Sequence, residues 1–300
     1  MNFKLDETRV WQYSAHIVMI FLSVCALMPF ILLFIASFTD NTTAMVNGYS
    51  FFPEKWSLDA YQYITREWRT VGQAYIMTIL VTVIGTAGSL AITSMFAYAI
   101  SNRNLPGRKL LSFMSIFTML FNGGIVSSYY VYSSVFQIKN TIWALIIPNL
   151  LMNAFTVMLV RNYFANSVSP SITEAARIDG AGEFRIFARI MLPLSVPILA
   201  TIGLMGAIAY WNDWTNGLYF LTERDGGHLY TVQLVLNSIN ENINFLANNS
   251  QITASAGRME LPSTTIRMAI AVIGILPIIL AYPFFQKYFI KGIALGGVKE

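Results

Sequence analysis

Charge is scarce in this chain. Only 11% of its 300 residues are Asp, Glu, Lys or Arg, against roughly a quarter in soluble domains. So few charges cannot cover a water-facing surface, and lipid is the solvent that accepts apolar faces. Cysteine and histidine are scarcer still. The one cysteine, Cys25, has no internal disulfide partner and sits inside an apolar run, where it reads as a small hydrophobe in a helix. The two histidines, His16 and His228, have neither metal-ligand spacing nor a cysteine beside them, so no metal site is predicted. The same shortage leaves a Ser-His-Asp arrangement without support. No Gly-x-x-x-x-Gly-Lys-Ser/Thr loop occurs, so this chain does not itself hydrolyse ATP. The net charge of +4 is scattered between apolar runs and offers no stripe to a nucleic acid.

What is abundant is apolar sequence: 55% of residues are hydrophobic and the mean hydropathy is +0.56. Six apolar stretches, about 15–38, 71–100, 111–133, 141–161, 193–212 and 264–286, predict an all-α integral membrane protein. Its six transmembrane helices form a single domain over 1–300. The first stretch is too long for a cleavable signal core and no small-x-small site follows it, so it reads as a retained span. Interior prolines such as Pro29 and Pro277 are tolerable where neighbouring helices satisfy the freed carbonyls.

Lysine and arginine set the orientation. With the N-terminus in the cytosol, Lys55, Arg66, Arg69, Lys139, Arg224, Arg258 and Arg267 fall outside, and the other twelve of the 19 fall inside. Both termini are then cytosolic, with a cytosolic tail over 287–300. Two outside loops are long, 39–70 and 213–263. The first carries Trp56, Tyr61, Tyr63 and Trp68. The second is rich in asparagine and has a short amphipathic helix predicted around 229–246. No span centre holds an Asp, Glu, Lys or Arg, which counts against an ion-driven transporter.

Several polar groups lie within the spans. Phe121-Asn122-Gly123-Gly124 interrupts the third, as either a broken helix exposing backbone to a solute path or a place of close helix packing at small residues. Asn149 and Asn153 face either another helix or a cavity. Trp211-Asn212-Asp213-Trp214 joins flat aromatic surface to hydrogen-bonding groups, as sugar binding requires, and equally suits an interfacial anchor at a helix end.

The loop between spans four and five, 169–193, has too much order for a connector. Pro170 opens a short helix, Glu174-Ala175-Ala176-Arg177-Ile178 continues it with good helix formers, and Asp179-Gly180-Ala181-Gly182 stops it. A second helix over Glu183–Met191 is predicted, with Phe184, Phe187, Ala188 and Met191 on one apolar face. Pro193 leads into span five. A helix, a tight turn and a helix on a membrane surface suit a groove on another protein.

The string from Glu174 through Asp179-Gly180-Ala181 to Leu192-Pro193-Leu194 and Pro197 resembles the signature loop of ABC importer permeases. Phe121–Gly124, Asn140–Trp143, Trp211–Trp214, Tyr282–Phe289 and the tail Lys291–Lys299 extend the resemblance over nearly the whole chain. They are similar to carbohydrate-importer permeases, of the smaller maltose-importer permease type and the oligosaccharide-uptake lipoprotein-locus branch. The resemblance implies a type I importer permease fold, a bacterial cell-membrane location and a carbohydrate solute; an amino-acid or peptide importer is the alternative.

It also implies that Glu174, Ala175, Ala176, Asp179, Gly180, Ala181, Phe187 and Pro193 form the coupling element for an ATPase. Gly296, Gly297 and Val298 give a second ATPase contact. Asn122, Gly123, Gly124, Asn149, Asn153, Trp211, Asn212, Asp213 and Trp214 are the solute-path candidates. The implied partners are a second, homologous permease, two ABC ATPase subunits that bind ATP and magnesium, and an extracellular solute-binding lipoprotein. This chain itself binds no cofactor.

Overall fold

Uninterrupted apolar runs become helices longer than a bilayer is thick. The structure, a computed structural model, describes residues 3–66, 68–248 and 264–297. In chain order, α1 (Phe3–Ser37), α2 (Asn41–Asn47), α3 (Asp59–Arg66) and α4 (Trp68–Ser101) come first. Then follow α5 (Arg108–Leu120), α6 (Gly124–Tyr130), α7 (Trp143–Ile146), α8 (Ala154–Ser167), α9 (Pro170–Ile178), α10 (Glu183–Ile186) and α11 (Leu192–Leu194). The last are α12 (Val196–Trp211), α13 (Thr215–Phe220), α14 (Glu223–Gly226), α15 (Val232–Asn248) and α16 (Thr264–Gly297). Among the described residues the one extended pairing is a bridge between Thr39 and Trp56.

Three segments are by themselves long and apolar enough to cross a membrane: Trp11–Ser37, Trp68–Ser101 and Thr264–Pro283. Two more are bent pairs. Arg108–Leu120 and Gly124–Val135 meet at 118°, and Glu183–Leu194 and Val196–Trp211 at 82°. The described helices thus give three to five crossings rather than the six expected. The stretch that differs is 141–161. It is not one helix, because Pro148 cannot continue α7 and Asn149 turns into left-handed backbone at φ 60°. Asn153 then caps a new helix, its Oδ1 accepting from the amides of Phe155 at 2.9 Å and Thr156 at 3.4 Å.

The chain divides into two compact units, Met1–Arg69 with Ser238–Leu276, and Thr70–Asn237 with Pro277–Glu300. In the first, the end of α1 meets α3 through an aromatic ladder. Phe34, Phe38 and Tyr61 have successive ring centroids 5.0 and 4.7 Å apart, and Ser37 Oγ lies 2.8 Å from Tyr61 OH. Asp40 caps α2 by accepting from the Thr42 hydroxyl and from the Thr43 amide. Those bonds hold its carboxyl down at about 2.

The second unit has two apolar cores, one at each end of α4. Ala97, Ile100, Val160, Phe164, Ile186 and Phe187 belong to the core at its C-terminal end. Val81, Leu145, Ile146, Tyr210 and Leu234 belong to the other. Gly85 lets α12 approach, since a Cβ there would stand 2.5 Å from the Tyr210 ring. The Tyr210 hydroxyl donates to the Ile146 carbonyl at 2.9 Å.

Candidate functional site

The loop after α8 folds as its sequence predicts as far as the turn. Pro170 occupies the first turn of α9, where its missing N–H costs nothing. The helix closes on Asp179, whose amide donates to the Ala175 carbonyl at 2.9 Å; the Gly180 amide donates to Arg177 at 3.0 Å and the Ala181 amide to Ala176 at 2.9 Å. Gly180 has φ 78° with open space around it, so its glycine serves the left-handed backbone that ends the helix.

The second helix departs from expectation. After Glu183–Ile186 it widens to a π turn over Phe187–Met191. Pro193 has no amide to offer the Arg189 carbonyl, and a wider turn accommodates that loss. The buried face also differs from the expected one: Phe187 and Met191 are buried, but Phe184 is 75% exposed, while Ile186, absent from that face, is fully buried.

The loop therefore presents Glu174, Ala175, Ile178, Asp179, Gly180, Phe184 and Pro193 outward. It turns Ala176, Ala181 and Phe187 into the core at the end of α4. Ile178, 86% exposed, is an apolar contributor that periodicity did not single out. Gly296 and Gly297 end α16; Val298 lies outside the described residues.

A polar link that no local pattern announces ties this loop to α4. Glu183 accepts from Arg177 Nε at 2.9 Å and from the Tyr98 hydroxyl at 2.6 Å. The Tyr98 ring also lies 5.3 Å from that of Phe187. The Arg177 guanidinium, then the Tyr98 hydroxyl, lower the Glu183 carboxyl below the usual carboxylate range. One carboxylate thus joins the first helix of the loop, the start of the second and the end of a membrane-crossing helix.

The solute-path candidates do not gather in one place. Asn149 and Asn153 line a cavity of about 170 Å³ with Thr86, Ser89 and Thr93 of α4 and Thr156 of α8. Apolar residues of α12, Ile202 and Met205, close another side. The hydroxyls of Thr86 and Thr93 are buried and, among the described residues, unpartnered. The Asn153 carbonyl oxygen is engaged in capping α8, so its amide nitrogen is the group left for other partners.

Asn122, Gly123 and Gly124 lie apart from that cavity, at the bend between α5 and α6. Asn122 Oδ1 accepts from the Gly124 amide at 2.8 Å, and Gly124 takes φ 78° with nothing near its missing Cβ. Among the described residues, no other helix comes within 4 Å of a Cβ built at Gly123 or Gly124, and the helix breaks here.

Trp211 to Trp214 end α12. Trp211 is buried beside Tyr75, ring centroids 6.5 Å apart. The Asn212 amide donates to the Ile208 carbonyl at 3.0 Å. Asp213 accepts from the Asn216 amide, and burial raises its carboxyl above the usual range. Of the four, Asn212 and Trp214 are the exposed ones. Close by, Asn216 donates to the Pro148 carbonyl at 3.0 Å, a contact missed from sequence because its partner lies 68 residues away.

The family model for a binding-protein-dependent transport system inner membrane component matches residues 12–295. This chain belongs to that family. Relatives at full length agree. The polygalacturonan/rhamnogalacturonan transport system permease protein YtcP of Bacillus subtilis (strain 168) is 36% identical over 94% of this chain and 95% of its own. Protein LplC of the same organism is 34% identical over 91% and 89%. An arabinooligosaccharides transport system permease protein, AraQ of Halalkalibacterium halodurans, is 29% identical over 93% of each. A crystal structure of a bacterial ABC transporter involved in the import of the acidic polysaccharide alginate has a chain that superposes with a TM-score of 0.76 at 30% identity. The match covers 94% of this permease and 98% of that chain. The permease is accordingly a membrane protein with the type I importer fold, and its relatives are transport subunits rather than enzymes.

Proposed function

We propose that this permease forms half of the translocation path of a bacterial ATP-driven oligosaccharide importer, and that the loop from Ser169 to Pro193 is its coupling element. The partners are a second, homologous permease, two ABC ATPase subunits that hold ATP and magnesium, and an extracellular solute-binding lipoprotein. Both termini face the cytosol, and the segment from Trp143 through α8 completes six crossings. The relatives' named solutes, polygalacturonan or rhamnogalacturonan, arabino-oligosaccharides and alginate, support a carbohydrate.

The observation that carries the coupling assignment is the way the loop is held. Its outward face exposes Glu174 together with two large apolar side chains, Ile178 and Phe184, a mixture suited to a protein groove. Its inward face is fixed to α4 by packing and by Glu183. A displacement imposed on the outer face is handed to a membrane-crossing helix. When the ATPases close on ATP, the loop carries that motion to α4 and turns the path outward. The cavity beside Asn149 and Asn153 adjoins α4 and supplies hydroxyl and amide groups to the solute.

The test is uptake of a labelled oligogalacturonide or arabino-oligosaccharide by cells carrying Gly180→Pro or Glu174→Lys. Both variants insert at normal levels and lose uptake. Normal uptake by both removes the coupling assignment. Uptake of an amino acid or a peptide in place of either sugar removes the carbohydrate assignment and leaves the coupling one standing.

A further inference from the structure

Beside the loop, with Glu174 in its wall, lies a second, larger cavity, about 410 Å³. It opens where α4 ends, α5 begins and α8 ends, which is the boundary of the apolar layer. Its walls carry four arginines, Arg103, Arg108, Arg161 and Arg177, against one acid, Glu174, and four asparagines add neutral hydrogen-bonding groups.

Two of the arginines are committed within the chain. Arg108 Nε donates to the Ile100 carbonyl at 2.8 Å, and Arg177 is paired with Glu183. The other two have no carboxylate partner among the described residues. Arg161 reaches only the amide oxygen of Asn162, at 3.0 Å, and its Nε is buried with no acceptor among the described residues. Arg103 is exposed and, among the described residues, meets no acceptor. A guanidinium charge left without a carboxylate beside it in a half-buried wall favours a bound anion. Guanidinium forks match the oxygens of a phosphate in pairs.

We propose that this cavity binds a phosphate-bearing anion, the phosphodiester headgroup of an acidic phospholipid. The position favours lipid over soluble sources, because the cavity lies at the ends of helices whose apolar middles are in the bilayer, where acidic headgroups are the abundant anion. The inference stands on membrane insertion alone and does not rest on the coupling assignment.

The test uses the importer purified as a complex and mixed micelles of dioleoyl phosphatidylglycerol or dioleoyl phosphatidylcholine, with retained lipid counted by native mass spectrometry. The wild type retains phosphatidylglycerol in preference. Arg103→Gln, at an exposed position that folding tolerates, weakens that preference about fivefold, and Arg103→Gln with Arg161→Gln weakens it further by a similar factor. Inorganic phosphate at millimolar concentration leaves the lipid in place. If it displaces the lipid, and does so only with both arginines present, the anion site stands and its occupant is soluble phosphate. Equal retention of the two lipids by the wild type, or a preference that survives Arg103→Gln unchanged, overturns the proposal.

Discussion

Glu183 is the residue whose removal most directly tests how the loop is held. Glu183→Gln keeps the shape of the side chain and deletes its charge. The ion pair with Arg177 is part-exposed, at 39% and 54% of the two side chains, so solvent screening limits it to well under 1 kcal/mol. The bond from Tyr98 is charge-assisted and short, 2.6 Å; such bonds reach about 1.5–3 kcal/mol in general, and exposure puts this one near the bottom of the range.

Together the variant forfeits about 1–2 kcal/mol of the free energy holding the loop on α4, a factor of about 5–30 in its local opening. Hydrogen exchange reads that opening directly. The amides of Asp179, Gly180 and Ala181 are closed by bonds to Ala175, Arg177 and Ala176, and they are the reporters. Their exchange in the purified permease accelerates by that factor in Glu183→Gln. In Tyr98→Phe it rises about fivefold, with the ring packing on Phe187 retained. Exchange within twofold of wild type in both variants refutes the claim that this carboxylate fastens the loop.

Other positions give independent checks. Gly85→Ala forces the buried Tyr210 ring to retreat by about 1 Å, lowering stability by about 1–3 kcal/mol, more if the bond to Ile146 breaks; the thermal midpoint in detergent measures it. Asn153→Ala removes both cap bonds of α8 and costs about 0.5–2 kcal/mol, which Asn153→Asp restores, as amide exchange at the start of α8 will register. Asp213 has its folded-state pKa raised by burial, so its contribution to stability is complete below the unfolded carboxylate value and declines as pH rises through the folded one. Asp213→Asn therefore stabilises the permease at neutral pH, and the difference in midpoint between variant and wild type closes on acidification; a gap independent of pH excludes the buried carboxyl as its cause.

Long elements were readable from the chain because one signal, an unbroken apolar run, dominates their folding. That signal identified α1, α4 and α16, and cap chemistry identified α9 from Pro170 to Asp179-Gly180. It failed where two influences competed. Over 141–161 the apolar run favoured a helix, but Pro148 and Asn149 ended it and Asn153 restarted it. Past Glu183, periodicity assumes 3.6 residues per turn throughout, whereas the helix widens to a π turn over Phe187–Met191, and the predicted face names the exposed Phe184 and leaves out the buried Ile186.

The site divides the same way. Glu174, Ala175, Asp179 and Gly180 are local to one turn and stand exposed on the loop. The Tyr98–Glu183 bond joins residues 85 apart, and Asn216 meets Pro148 across 68. Side chains that meet over such separations leave no mark on a single chain's periodicity. Among the solute-path candidates, asparagine within a span marked two residues of the cavity wall, Asn149 and Asn153. The threonines opposite them, Thr86 and Thr93, passed unnoticed because threonine is ordinary in a membrane helix.

One mechanical consequence belongs to α4. Whereas α1 holds Pro29, α16 holds Pro277 and Pro283, and α5 and α6 meet at a sharp bend, α4 has no proline in its 34 residues. The same shaft carries Tyr98 at the loop, Thr93 and Thr86 at the inner cavity, and Thr78, whose hydroxyl accepts from the Val232 amide at the opposite core. From Tyr98 to Thr78 the rise is about 30 Å, so tilting the shaft by about 5° about its loop end sweeps the far end through about 2.6 Å. That sweep is close to the width of a water molecule, and it is graded along the helix: the cavity wall moves by roughly half as much as the outer end.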